Sequence, residues 1–361
     1  MRKVWRSVTD GFVPYEAGKP LEALAEDLAI ADLVRLSANE SPLGPSPRAV
    51  EALRREAARA HLYPDGGSTA LREALAKTLG VGADQIVCGN GADELITLLA
   101  LAAFDPGDEV ILPHPSFEPY TSSVTLAGAD ARQSPLAGYD TDLDDMLRQV
   151  TARTKAVFVC SPHNPAGTIV RRAPLTRFLD ALGADPPLVV LDEAYRDFCD
   201  DPEYPDGVEL LGRHPRLVLL RTFSKIAGLA GLRVGYAVAA PEAIDRLNRV
   251  RAPYNVNRLA QIAAVAALED AEHLARTRRL VIEERAFLAR ELARRGMTAP
   301  PSQANFLLVR VPDARAARER LLRAGIIVRD GAGVGFPGHL RIAVGTREVN
   351  IRLLAALDAA S

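Results

Sequence analysis

Leu217-Val218-Leu219-Leu220-Arg221-Thr222-Phe223-Ser224-Lys225 is the stretch on which the fold turns. Its four aliphatic residues form a short run of buried-strand type, so Lys225 stands just past the carboxyl end of a strand. Open α/β sheets gather their ligands along that edge. A lysine amine there can form an imine with an aldehyde. The two hydroxyls beside it, with Arg233 eight residues on, can hold a phosphate. Upstream, Leu188-Val189-Val190-Leu191 is a second buried run, and it delivers Asp192-Glu193-Ala194-Tyr195. A carboxylate at that strand end is suited to keeping a pyridine nitrogen protonated.

Outward from this pair, short apolar runs alternate with helix-length amphipathic segments from about Gln85 to Ala240. The runs are Gln85–Cys88, Glu109–Leu112, Lys155–Cys160, Leu188–Asp192, Leu217–Arg221 and Val234–Ala239; Asp93–Phe104 and Leu175–Leu182 carry apolar residues at helical spacing. This alternation predicts an α/β fold, with a mostly parallel sheet between two layers of helices. After Pro253 the texture changes. Helices are expected over Arg258–Glu269, His273–Arg295 and Ala314–Leu322 and from Arg347. Strands are expected at Asn305–Val309, Ile326–Val328 and Leu340–Val344. Residues 31–257 therefore read as a large domain and 258–361 as a smaller α+β domain. Residues 1–30 have too little apolar pattern for a domain and read as an arm packed on the rest.

A chain of 361 residues has room for two such cores. The net charge of −2 gives no reason to expect a nucleic-acid or anionic-membrane partner. No apolar stretch reaches the roughly 18 residues of a membrane span, and Met1-Arg2-Lys3-Val4-Trp5-Arg6 is not followed by a signal-peptide core. Cys88, Cys160 and Cys199 are widely spaced, which suits reduced thiols in the cytoplasm. No His-x-x-x-His or Cys-x-x-Cys pair is present, so no metal is expected.

Further motifs fall at the ends of other strands. Gly89-Asn90-Gly91-Ala92-Asp93-Glu94 joins a strand to a helix. Its glycines and the helix N-terminus could bind phosphate at the amides of Ala92 and Asp93, or it could be a plain turn with an N-cap. Ser161-Pro162-His163-Asn164-Pro165 holds Asn164 at another strand end, where its amide could donate to a phenolate oxygen, or simply turn the chain. Tyr195 could donate to the same oxygen or be a core tyrosine; Phe117 could stack on a ring or be core. The glycines of Gly228-Leu229-Ala230-Gly231-Leu232-Arg233 precede a strand, whereas a dinucleotide loop follows one. They read as a return loop that aims Arg233. Val328-Arg329 and Leu340-Arg341-Ile342 each set one arginine in an apolar run, for a substrate carboxylate or phosphate or for a structural salt bridge.

With these residues in view, the chain resembles, nearly end to end, the fold-type I pyridoxal-phosphate enzymes of the aspartate aminotransferase superfamily. Within them it most resembles the histidinol-phosphate aminotransferase family. The matching stretches are Asn39-Glu40-Ser41-Pro42-Leu43-Gly44-Pro45, Tyr63-Pro64-Asp65, Gly89 to Glu94, Asp192 to Tyr195, Arg221 to Lys225, Gly228 to Arg233, Pro253-Tyr254-Asn255-Val256-Asn257 and Leu340 to Thr346. The resemblance implies a seven-stranded sheet in the large domain and pyridoxal 5'-phosphate as cofactor. It gives Lys225 the covalent link and the proton transfer, and sets Asp192 on the pyridine nitrogen. Asn164 and Tyr195 fall on the ring oxygen and Phe117 over the ring. Ala92, Asp93, Thr222, Ser224 and Arg233 fall on the phosphate, with Tyr63 reaching it from the second subunit of a homodimer. Arg341 would clamp the carboxylate of the co-substrate, with Asn164 beside it, and Tyr15 and Arg329 would take the far end of the substrate. Phe117, His163 and Ala166 stand where the family usually has Tyr, Asn and Thr.

The activity implied is ping-pong amino transfer between histidinol phosphate and 2-oxoglutarate. Ser116-Phe117-Glu118 and Pro301 to Phe306 also resemble aromatic amino-acid aminotransferases, which keeps phenylalanine or tyrosine as an alternative substrate. A threonine-phosphate decarboxylase is a more distant cousin. A nicotinamide oxidoreductase is disfavoured by where the glycine loops fall, and a DNA-binding regulator by the short expected arm.

Overall fold

The computed structural model describes residues 4–12, 23, 25–26, 30 and 32–359. Strands β2 (Ile86–Gly89), β3 (Glu109–His114), β4 (Asp130–Pro135), β5 (Thr154–Cys160), β6 (Leu188–Asp192), β7 (Leu217–Thr222) and β8 (Gly235–Ala239) form one seven-stranded sheet, ordered β2-β8-β7-β6-β5-β3-β4. Strand β8 runs antiparallel to both of its neighbours, and all other pairs are parallel. Six of these strands coincide, within two residues at either end, with the apolar runs. The seventh, β4, is an edge strand of sequence Asp-Ala-Arg-Gln-Ser-Pro with only Ser134 buried, so hydropathy gave no sign of it.

Side-chain alternation sends the strands into two cores, which is why the inner strands are apolar throughout. From β5, Val157 and Val159 face one core and Ala156, Phe158 and Cys160 the other. The first core is closed by helices α1 (Pro47–Glu56), α2 (Thr69–Leu79), α5 (Leu143–Gln149), α6 (Arg172–Ala181), α7 (Gly207–Leu211) and α9 (Arg258–Leu268). The second is closed by α3 (Ala92–Ala103), α4 (Pro119–Ala127) and α8 (Pro241–Val250). Helix α10 (Ala271–Arg294) then leaves this body and buries Leu288 and Leu292 in a separate core. That core lies against β9 (Phe306–Arg310), α11 (Ala314–Arg323), β12 (His339–Ala343) and α12 (Arg347–Asp358).

Sorted by core, two segments cross the expected boundaries. Helix α9 buries Ala260, Ala263, Ala264 and Ala267 with the large sheet, so the smaller unit begins along α10, later than residue 258. Strand β1 (Val34–Arg35) pairs in parallel with β10 (Ile326–Ile327), and Leu36 lies in the smaller core. Residues 34–36 thus belong to the smaller unit, and the chain crosses to the large one directly after them.

Candidate active site

The carboxyl ends of β5, β6 and β7 meet the crossing segment 37–39. Ser37, Ala38 and Asn39 each hold at least one side chain from a distant part of the chain. The Ser37 carbonyl accepts from Arg341 Nη2 at 2.7 Å, and the Ala38 carbonyl accepts from Lys225 Nζ at 3.2 Å. Asn39 Nδ2 donates to the Tyr195 hydroxyl at 3.1 Å. The Asn39 carbonyl in turn accepts from the buried Asn305 at 3.0 Å. Arg341 also donates through Nη1 to Asn164 Oδ1 at 2.7 Å, which leaves the Asn164 amide nitrogen to act as a donor. Lys225, Tyr195, Asn164 and Arg341 are thereby brought into one site, with the Lys225 nitrogen 5.5 Å from the Tyr195 ring centre.

Two titratable groups here are pushed toward neutrality. Burial lowers Lys225 to about 8, and the Arg341 guanidinium acts in the same direction. Roughly a tenth of such an amine is uncharged at neutral pH, against a few parts in ten thousand for an ordinary lysine. Burial raises Asp192 to about 6, opposed first by a hydrogen bond from Tyr120. That hydroxyl donates to Asp192 Oδ2 at 2.5 Å, while the Ala194 amide donates to Oδ1 at 3.0 Å. Tyr120 is itself 1% exposed and packs edge-on to Phe117 at 5.5 Å and tilted against Phe158 at 4.9 Å. The carboxylate is held from two sides yet keeps lone pairs for one more donor.

At the opposite end of the site, α3 begins behind Gly91. Gly91 has φ 81° and ψ 170°, a region that glycine alone occupies readily. A Cβ on Gly91 would stand 2.5 Å from Arg233 Nη2, and one on Gly235 would stand 2.7 Å from the Ala92 nitrogen. Thr222 pairs with Gly235 across β7 and β8, and its hydroxyl accepts from the Ser224 amide at 3.0 Å. Arg233, in left-handed backbone at φ 54°, donates to Asp93 Oδ2 at 3.0 Å. The first amides of a helix have no intrahelical acceptor. The missing Cβ atoms, these amides, two hydroxyls and a guanidinium make a cradle suited to a phosphate dianion. A phosphate at this end would satisfy the donors of the cradle, and a protonated ring nitrogen would satisfy the acceptor at Asp192.

The remaining expected residues stand apart from these. Tyr63, expected at the phosphate of a second copy, is 80% exposed and stacks on Tyr254 at 4.8 Å. Arg329 is exposed on β11 (Arg329–Asp330), directly opposite Arg341 in register. Tyr15 lies outside the described residues. Sequence reasoning gave no role to Asn39 or Tyr120, and none to the buried pair Arg221 and Glu193. That pair, 2.7 Å apart, ties the residue after Asp192 to the residue before Thr222. The one signal for the pair was two opposite charges at the ends of wholly apolar runs. Among the described residues no group of three or more His, Cys, Asp or Glu side chains could hold a metal ion, and no helix is long and apolar enough to cross a membrane.

Comparison with known proteins bears on this geometry. The model of the aminotransferase class I and II family matches residues 31–357. A histidinol-phosphate aminotransferase of Anaeromyxobacter sp. (strain Fw109-5) is 46% identical over 347 residues, covering 95% of each chain. One from Moorella thermoacetica is 45% identical over 349 residues, covering 95% of this chain and 89% of its own. Among solved structures, the histidinol-phosphate aminotransferase of Sinorhizobium meliloti in complex with pyridoxal-5'-phosphate superposes with a TM-score of 0.89. It is 28% identical and covers 99% of this chain and 97% of its own.

Proposed function

The chain belongs to the aminotransferase class I and II family, and from that premise we propose that it moves an amino group between histidinol phosphate and 2-oxoglutarate with pyridoxal 5'-phosphate as cofactor. The proposal is carried by the attachment of Lys225 and Arg341 to the consecutive carbonyls of Ala38 and Ser37. An amine able to lose its proton and a guanidinium able to grip a carboxylate are thereby held side by side. The curated relatives that share most of the chain are named histidinol-phosphate aminotransferases.

The residues present fit the cofactor. The α3 amides at Ala92 and Asp93, with Thr222, Ser224 and Arg233, would hold its phosphate in the glycine-lined cradle. Asp192 would accept from the pyridine nitrogen, Phe117 would stack on the ring, and Asn164 and Tyr195 would donate to the ring oxygen. When bound, the cofactor supplies an electron sink for the carbon that loses its proton. Lys225 Nζ binds the cofactor aldehyde and afterwards holds and moves that proton. Arg341 grips the carboxylate of the glutamate or 2-oxoglutarate co-substrate bidentately, while in the other half-reaction Arg329 and Tyr15 take the phosphate end of histidinol phosphate.

Tyr63 serves the phosphate of a second copy in a homodimer. In support, Tyr63 and Tyr254 line an exposed groove of about 670 Å³ together with Leu62 and Pro253. The three unpaired cysteines suit the cytoplasm.

The deciding experiment measures kcat/KM for histidinol phosphate and for phenylalanine side by side, each with 2-oxoglutarate. Histidinol phosphate should lead by more than about tenfold, equivalent to ~1.4 kcal/mol of transition-state preference. A lead for phenylalanine would transfer the reading to the aromatic aminotransferases.

A further inference from the structure

Asn39 is 1% exposed and sits in left-handed backbone at φ 56°, which asparagine tolerates better than most residues. Its Nδ2 donates to Tyr195 Oη, while its Oδ1 is buried with no hydrogen-bond partner among the described residues. The amide thus acts on the site only as a donor. A phenol oxygen that receives a hydrogen bond still has one proton of its own to give. With Asn39 on one side of that oxygen, the remaining direction for the proton is away from the 37–39 segment. We propose that Asn39 is a positioning residue, whose hydrogen bond to Tyr195 aims the tyrosine's single proton at the ring oxygen of the bound cofactor. Burial pushes the Tyr195 phenol up to about 12, and the Asn39 amide pulls the other way, which makes the phenol a better donor. The same three-residue segment holds Lys225, so one loop sets both the amine and the hydroxyl that act on the cofactor. This rests on the cofactor reading above.

The test uses full-length protein loaded with pyridoxal phosphate and follows its visible absorbance as pH is raised. A donor on the ring oxygen stabilises negative charge there and loosens the hold of the neighbouring cofactor-bound nitrogen on its proton. Losing the donor therefore raises the midpoint of the colour change. Asn39→Gly keeps the backbone free to adopt a positive φ and should raise the midpoint by roughly half a pH unit or more. Asn39→Asp, which offers acceptors only, should raise it at least as far. In a Tyr195→Phe background, where the midpoint is already high, Asn39→Gly should add nothing. An unchanged midpoint in either single variant, or an additive shift in the double, would overturn the proposal; if one variant does not fold, the other decides. Wild-type protein that gives no visible band would bring down the cofactor reading and this inference together. A normal band that ignores Asn39 would sink this inference alone.

Discussion

The two ends of the site are built by opposite means. The proposed phosphate cradle is made from what the backbone lacks: Cβ atoms at Gly91 and Gly235, and acceptors for the first amides of α3. The end around Lys225 is made from what the backbone offers, three consecutive residues that hold side chains 156 to 304 positions away in sequence. A cradle of the first kind fails when anything is added to it. A segment of the second kind fails when a side chain is taken away, and it fails in proportion to what that side chain did.

The largest effect that would sharpen this contrast is Lys225→Ala. Removing the group proposed both to anchor the cofactor and to carry the proton should lower kcat by at least about 10³-fold and abolish the visible band. A variant retaining full activity would place the chemistry elsewhere. Next comes addition at the other end. Gly91→Ala puts a methyl 2.5 Å from Arg233 Nη2 at a φ of 81°. Backbone strain of order 1–3 kcal/mol falls on the fold with or without ligand. The methyl also pushes the Arg233 guanidinium aside, and losing that charge-assisted contact should lower pyridoxal phosphate affinity by roughly ten- to a hundredfold. Pyridoxal without its phosphate should bind nearly as before. Equal losses for both ligands would mean that the cradle does not hold the phosphate.

The same contrast explains what could be read beforehand. Gly89 to Glu94, Asp192 and Lys225 were legible because strand, turn and functional group are contiguous there, so local pattern fixed their placement. The edge strand β4 was not, because a strand with one paired side and little burial needs no apolar run. Asn39 lay inside a stretch already singled out, yet its partner Tyr195 is 156 residues away and nothing local marks the contact. The fate of α9 was equally hidden. An alanine-rich amphipathic helix packs on whichever core the chain offers it, and here the first core does.

Tyr120 lies between these extremes, since it adds a hydroxyl to Asp192, a group that the sequence already marked as a candidate. Burial raises Asp192 to about 6 and the Tyr120 hydroxyl pulls it down. Tyr120→Phe should therefore raise the carboxyl further, so that it is protonated where the wild type is ionised. The acid limb of cofactor affinity against pH should move upward, and kcat should drop about tenfold. An acid limb that stays in place would show that the hydroxyl only fills space.

The smallest expected effect concerns Lys225. Burial and, after it, the Arg341 charge hold the amine near 8. Pyridoxal phosphate uptake by the cofactor-free protein needs the uncharged amine, so its rate should climb with pH and level off above about 8. Replacing Arg341 by Leu removes a positive charge that favours the neutral form. The amine should then stay protonated to higher pH, and the midpoint of uptake should rise by less than about one pH unit. A midpoint that fell instead would mean that the leucine buries the amine more than the arginine repels its proton, and that desolvation alone sets the lysine.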